Sequence, residues 1–147
     1  MQESNNKTES MTPVVPESTG SSVRRARQVL KWMALLFMMG IQVQVFIAGL
    51  ALFSASTYWD GHVTLARYIA ILPVFMIIVS FLAKLSLSLR MQIVALIGMI
   101  TLMFLTAYVS TRVGFFAALH PVIAVALFYR TSTLFNGVNK LLKGDRR

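Results

Sequence analysis

The 147-residue sequence contains no cysteine, which excludes disulfide bonds, thiolate metal sites and a cysteine nucleophile. Acidic residues are also scarce, with five aspartates and glutamates against 14 lysines and arginines. None of the five lies within the long apolar segments, where proton- and cation-coupled transporters carry their carboxylates. Glycine-rich phosphate loops and nucleophiles with a nearby base are missing too, so the sequence favours a protein that is not an enzyme.

Charged residues are absent from four long stretches of the chain, and these stretches are residues 32–59, 68–83, 91–111 and 113–129. The chain is 56% hydrophobic and its mean hydropathy is +0.69. Apolar runs of about 18 residues or more are typical of membrane spans. The sequence therefore predicts an integral membrane protein whose partner is the lipid bilayer, and its net charge of +9 does not indicate nucleic acid.

The predicted fold is all-α, an integral membrane four-helix antiparallel bundle. Helices are favoured over barrel strands because the apolar runs are continuous rather than alternating in polarity. Short connections make neighbouring helices antiparallel, and Pro73 is expected to kink the second span by removing a backbone donor. The transmembrane domain covers residues 23–136, and its four spans are predicted at about 30–54, 62–83, 91–111 and 115–136.

Polar segments flank this domain. Residues 1–22 are rich in Ser, Thr, Glu and Asn, and they are predicted to form a disordered cytoplasmic tail. The first apolar run is longer than the core of a signal peptide, so it is expected to remain as an uncleaved span. Residues 137–147 form a basic tail, which either continues the fourth helix along the membrane surface or ends as a solvated segment.

Lysines and arginines predict the orientation of the protein, because they accumulate on the cytoplasmic side of membranes. Only Arg67 and Arg112 fall on the side opposite the two termini. The other twelve share one side and are Lys7, Arg24, Arg25, Arg27, Lys31, Lys84, Arg90, Arg130, Lys140, Lys143, Arg146 and Arg147. Both termini are therefore predicted to be cytoplasmic.

The two histidines, His62 and His120, are predicted to lie near the same membrane boundary on different helices. Such a pair supplies the axial ligands of haem b in a four-helix bundle, and Arg67 would contact a haem propionate or anchor to lipid phosphate. Without a third strong ligand, a closed zinc or copper site is not expected. The alternative is structural: His62 faces interfacial water, and His120 precedes a regular helix that starts at Pro121 and ends nearer Leu142.

Two glutamines lie in the middle of the first span. Gln42 and Gln44 project about 200° apart on a helix, so one of them is expected to hydrogen-bond across the bundle. Gly49 is predicted to permit close approach of a neighbouring helix.

Three segments, QVFIAGLALF in span one, the histidine that opens span two and LHPVIAV in span four, resemble an uncharacterised bacterial family of small four-span membrane proteins. The resemblance covers about residues 28–136 and implies a four-helix protein of the bacterial plasma membrane. A weaker similarity, carried by His62 and His120, is to one half of haem A synthase and other haem-b four-helix membrane proteins. The sequence departs from that pattern at Ala66, where a glycine is common.

Two functional hypotheses follow. In the first, the protein binds haem b through His62 and His120 and serves electron transfer or haem handling. In the second, it is a non-catalytic membrane component without a cofactor, such as a partner subunit or a holin-like assembly protein. The second hypothesis implies a homo-oligomer or a membrane partner protein.

Overall fold

Five α-helices form the described part of the chain, which in this computed structural model comprises residues 17–110 and 114–145. Their bounds are α1 Glu17–Phe53, α2 Tyr58–Ala70, α3 Leu72–Leu82, α4 Leu87–Ser110 and α5 Phe115–Gly144. In a bilayer a helix satisfies its own backbone hydrogen bonds, which is why continuous apolar runs adopt this structure. The described residues contain no strand, so the predicted all-α class is confirmed.

Four segments are long and apolar enough to cross a membrane, and they are Gly20–Phe53, Tyr58–Leu82, Leu87–Val109 and Phe115–Gly144. The second of these contains both α2 and α3, which are separated at Ile71. Pro73 lies in the first turn of α3 and has no backbone N–H, so the predicted kink takes the form of a break two residues earlier. The protein is thus a multi-pass membrane protein.

The helices pack as an antiparallel bundle in which α1 contacts α2, α3 and α5, while α4 contacts α3 and α5. The side chains with the least exposure lie in one half of this bundle, and they include Leu30, Ala34, Phe37, Met76, Ile93, Leu96, Leu134 and Val138. That half contains the first turns of α1, the α3–α4 connection and the end of α5, and we call it the terminal half. The other half contains both histidines, and we call it the histidine half. There α2 has no buried residue.

One arginine ties three elements together in the terminal half. Arg27 donates from Nε to the carbonyl of Ala83, at 3.1 Å, and from Nη1 to the carboxylate of Asp145, at 2.6 Å. Ala83 ends α3, so its carbonyl has no helical donor and needs another partner. The next residue, Lys84, has a left-handed backbone (φ 49°) that turns the chain toward α4.

The structure differs from the first predicted flank, and at the second flank it continues the fourth helix. Helix α1 begins at Glu17, so residues 17–22 are helical rather than part of a disordered tail, and residues 1–16 lie outside the described residues. Helix α5 continues to Gly144, with Leu134, Val138 and Leu142 buried inside the bundle. The tail thus forms a helical continuation, but Val138 and Leu142 pack against protein instead of lying along the membrane surface, because α1 extends far enough to cover them.

The close helix approach predicted at Gly49 occurs elsewhere. A Cβ built on Gly49 would have no heavy atom within 4 Å, whereas one on Gly40 would lie 2.8 Å from Cδ1 of Ile69. Gly40 therefore lets α1 and α2 meet. Gly49 instead leaves open space beside α1, which belongs to the cavity described next.

Candidate functional site

The two histidines lie next to each other. His62 is the fifth residue of α2 and His120 is the sixth residue of α5, so each lies about one to two turns inside its helix. Their ring centroids are 6.3 Å apart and the ring planes are inclined at 55°. Both residues are half-buried. The structure thus brings together the two residues that the sequence predicted as a pair.

A reciprocal pair of hydrogen bonds fixes His62 against α1. The Nε2 amide of Gln44 donates to the carbonyl of His62 at 3.1 Å, and Nδ1 of His62 lies 3.2 Å from the carbonyl of Gln44. A carbonyl only accepts, so this second bond requires the proton on Nδ1 and leaves the lone pair on Nε2. Trp59 packs edge-on against the same imidazole, with centroids 5.6 Å apart.

Of the two glutamines in the first span, Gln44 is the one that bonds across the bundle. Gln42 is exposed on the outside of α1, which agrees with the predicted divergence of the two side chains. Gln44 keeps one buried oxygen, Oε1, without a hydrogen-bond partner. This oxygen adds an unused acceptor beside the histidine pair.

His120 is positioned differently from the structural alternative. Helix α5 starts at Phe115 and runs through Pro121, so the regular helix does not begin at the proline. Proline has no N–H, and the carbonyl of Ala117 cannot receive the usual helical bond from residue 121. Nδ1 of His120 is buried without a hydrogen-bond partner. This nitrogen therefore has bonding capacity that none of the described residues uses.

Both histidines line a cavity of about 890 Å³ in the histidine half of the bundle. Its volume lies within the range of ligand sites, roughly 300–1,000 Å³. Helices α1, α2, α4 and α5 all contribute to its walls, which are almost entirely apolar. Eight lining residues are alanine or glycine, namely Ala48, Gly49, Ala66, Ala70, Ala107, Ala117, Ala118 and Ala124. These small side chains leave the space that larger ones would fill.

Arg67 is not part of this lining. It follows Ala66 on α2, but its side chain is exposed while that of Ala66 faces the cavity. The contact with a haem propionate has no support from the lining and stays a prediction. Arg112, the second basic residue expected at this end, lies outside the described residues.

Within residues 17–110 and 114–145 no group of three or more His, Cys, Asp or Glu side chains is arranged to hold a metal ion. The histidine pair therefore has no further protein ligand of these types. What the site offers chemically is two imidazoles beside an apolar cavity, with a tryptophan and a glutamine as its other polar lining residues.

Sequence reasoning missed three features of the site. It did not place Trp59 against His62, it did not connect Gln44 with His62, and it did not predict a cavity. The small residues were visible in the sequence, and those at 66 and 70 and those at 117, 118 and 124 recur at helical spacing. That spacing places them on one face of each helix, but only the packing shows that the faces converge.

Comparison with known proteins gives a similarity to one protein family, over part of the chain. Residues 44–112 match the sequence model of a family of unknown function (DUF6220). The match includes Gln44 and His62 but ends before His120, and it is shorter than the 28–136 range of the predicted resemblance. It agrees with similarity to an uncharacterised family. No curated protein and no solved structure matches the chain.

Proposed function

We propose that the cavity binds haem b, with His62 and His120 as the two axial ligands. The spacing of the two rings is the observation that carries this proposal. A metal–imidazole bond of about 2.0–2.1 Å puts two rings on opposite sides of a metal about 6.4 Å apart between centroids. The observed separation is 6.3 Å, so the pair suits a metal centre between the rings.

The hydrogen bonding of His62 supports the same role. A ligating histidine commonly donates its other N–H to a backbone carbonyl, which fixes the tautomer and the orientation of the ring. Nδ1 of His62 has such a bond to the carbonyl of Gln44, and this leaves Nε2 as the nitrogen for the metal. The buried and unpartnered Nδ1 of His120 is the corresponding unused atom on the second ring.

The walls of the cavity suit a large, flat and mostly apolar group. Ala66, Ala117 and Ala118 keep side chains short near the histidines, and Gly49 leaves the α1 wall open. Alanine at position 66 stands where the haem-b four-helix membrane proteins that the sequence resembles often have glycine, and its side chain is only one methyl group. Bound haem supplies a one-electron redox couple, and the proposed role is electron transfer or haem handling.

The protein is further proposed to reside in a bacterial plasma membrane with both termini in the cytoplasm. Support comes from the positive charges. Among the described residues of the histidine half, Arg67 is the one lysine or arginine. Nine described lysines and arginines lie in the terminal half, namely Arg24, Arg25, Arg27, Lys31, Lys84, Arg90, Arg130, Lys140 and Lys143. This asymmetry is what the positive-inside rule associates with the cytoplasmic side.

The direct test is the visible spectrum of the protein purified in detergent from haem-replete cells. A Soret band that co-purifies with the protein and is lost in the His62→Ala/His120→Ala variant is expected. A colourless wild-type protein, or a band unchanged in that variant, would exclude the axial pair. The hypothesis of a cofactor-free partner subunit or holin-like assembly protein would then stand, and crosslinking for a homo-oligomer or partner protein would follow.

A further inference from the structure

A second cavity, of about 450 Å³, lies in the terminal half between α1 and α5. Its α1 wall consists of Gln28, Lys31 and Trp32, and its α5 wall consists of Asn139, Leu142 and Lys143. Each set has the spacing i, i+3, i+4, which places its three side chains on one helix face. Two ammonium groups, two amides and an indole thus converge on one site, and none of the six is acidic.

No acidic side chain within residues 20–110 and 114–145 forms a salt bridge with Lys31 or Lys143. Among the residues that the structure describes, the one salt bridge joins Arg27 and Asp145, so that carboxylate is already engaged. The ammonium of Lys31 lies 5.6 Å from the ring centroid of Phe135 and 6.0 Å from that of Trp32. These contacts hold the charge beside the cavity without cancelling it.

The depth of the site indicates which anion reaches it. Trp32 precedes Phe53, the last residue of α1, by 21 residues, which is about 32 Å at 1.5 Å per residue. The hydrocarbon core of a bilayer is about 30 Å thick, so Trp32 lies at its edge when Phe53 lies at the opposite edge. Its indole is 63% exposed, as in the interfacial belts of membrane proteins. Lys143 lies farther from the core, at headgroup level.

We propose that this α1–α5 cavity binds the headgroup of an anionic phospholipid. Lys31 and Lys143 contact the lipid phosphate, and the amides of Gln28 and Asn139 donate to the phosphate or headgroup oxygens. Trp32 faces the first carbons of the acyl chains, and Leu142 is a buried apolar residue of the cavity wall. Basic cavities between membrane helices are a known way to recognise such lipids. The proposal does not depend on haem binding at the other end of the bundle.

Trp32 itself reports on the site, because the chain has only one other tryptophan and Trp59→Phe removes it. This variant is reconstituted in phosphatidylcholine vesicles that contain a minor fraction of brominated lipid, either phosphatidylglycerol or phosphatidylcholine. Quenching of Trp32 is expected to be stronger with brominated phosphatidylglycerol. Adding Lys31→Gln/Lys143→Gln should reduce this preference about thirtyfold. Lys31→Arg/Lys143→Arg should retain it.

The matched control is Arg25→Gln/Lys140→Gln, which removes the same charge from two exposed residues outside the cavity. An equal loss of preference in this control would mean diffuse surface attraction and would overturn the proposal. Equal quenching by the two brominated lipids would overturn it as well. Inorganic phosphate in the buffer is expected to leave the preference unchanged, and displacement of the lipid by phosphate would assign the cavity to a soluble anion instead.

Discussion

Gln44 and His62 hold each other through two hydrogen bonds, in which each residue supplies one side-chain nitrogen and one backbone carbonyl. The pair joins the middle of α1 to the start of α2. Helix α2 has no buried residue, so this contact helps to fix it in place. Of the two bonds, only the one from the Gln44 amide depends on the glutamine side chain. The ring of His62 bonds to the backbone of α1 and keeps its orientation when that side chain changes.

Gln44→Leu is therefore expected to lower the free energy of unfolding in mixed detergent by about 0.6 kcal/mol and by no more than about 1.7 kcal/mol, as for other hydrogen bonds between membrane helices. The haem spectrum should be retained, since the acceptor of His62 Nδ1 is a backbone carbonyl. Gln42→Leu is the matched control, because Gln42 is exposed, and it should leave the unfolding free energy unchanged. Equal destabilisation by the two variants would contradict the cross-helix role of Gln44.

Gly40→Ala is expected to cost about 1–3 kcal/mol of unfolding free energy through overpacking. The new methyl would meet three atoms of Ile69 at 2.8–3.3 Å, and a β-branched side chain has few other rotamers. Gly137→Ala should cost less, since only the Cδ2 end of Leu89 lies closer than 3.9 Å and that end can rotate. Ile69→Ala should rescue most of the cost of Gly40→Ala. A larger loss at Gly137 than at Gly40 would show that this helix contact is assigned wrongly.

Gly49→Leu should abolish ligand binding without unfolding the protein. A Cβ at Gly49 has no neighbour within 4 Å, so the leucine side chain enters the 890 Å³ cavity and occupies the space of the bound group. Gly98→Leu places the same side chain on an exposed part of α4 that does not line the cavity, again with no neighbour within 4 Å. Haem content is measured per protein in both variants. Loss in both, or in neither, would mean that the cavity is not the binding site.

The proposed orientation is tested by thiol labelling, because the absence of cysteine makes any introduced thiol unique. Ser56→Cys lies in the exposed α1–α2 connection and Ser86→Cys in the exposed α3–α4 connection. In intact cells a membrane-impermeant maleimide should label only Ser56→Cys, and permeabilised cells should show labelling of both. Labelling of Ser86→Cys alone in intact cells would show that the orientation is opposite to the one proposed.

The four spans were predictable because each is marked by its own local stretch of sequence. A continuous apolar run has one stable form in a bilayer, and charge-free stretches such as 91–111 mark the spans directly. The pairing of His62 with His120 also followed, since antiparallel spans of known length set the depth of every residue. The depth of a residue in the membrane can thus be predicted from the sequence.

The sequence did not show in the same way which side of each helix faces its neighbours, or where each helix ends. Arg67 and Ala66 are neighbours in sequence, yet only Ala66 faces the cavity. Helical spacing groups Ala66 with Ala70 on one face of α2, but it does not show that this face meets the other helices. The burial of Val138 and Leu142 in the tail was not predictable, because it depends on how far α1 extends beside α5. Gly49 was misassigned for a related reason, since a glycine marks close approach only when another helix faces it.

The electron paramagnetic resonance spectrum of the oxidised, haem-loaded protein tests the central claim most directly. Two imidazole ligands predict a low-spin ferric signal in the wild type, because six-coordinate iron with two strong nitrogen ligands is low-spin. Replacing either His62 or His120 alone by alanine should convert this signal to high spin or abolish haem binding. A wild-type protein that binds no haem, or a low-spin signal that persists in either single variant, would contradict the account.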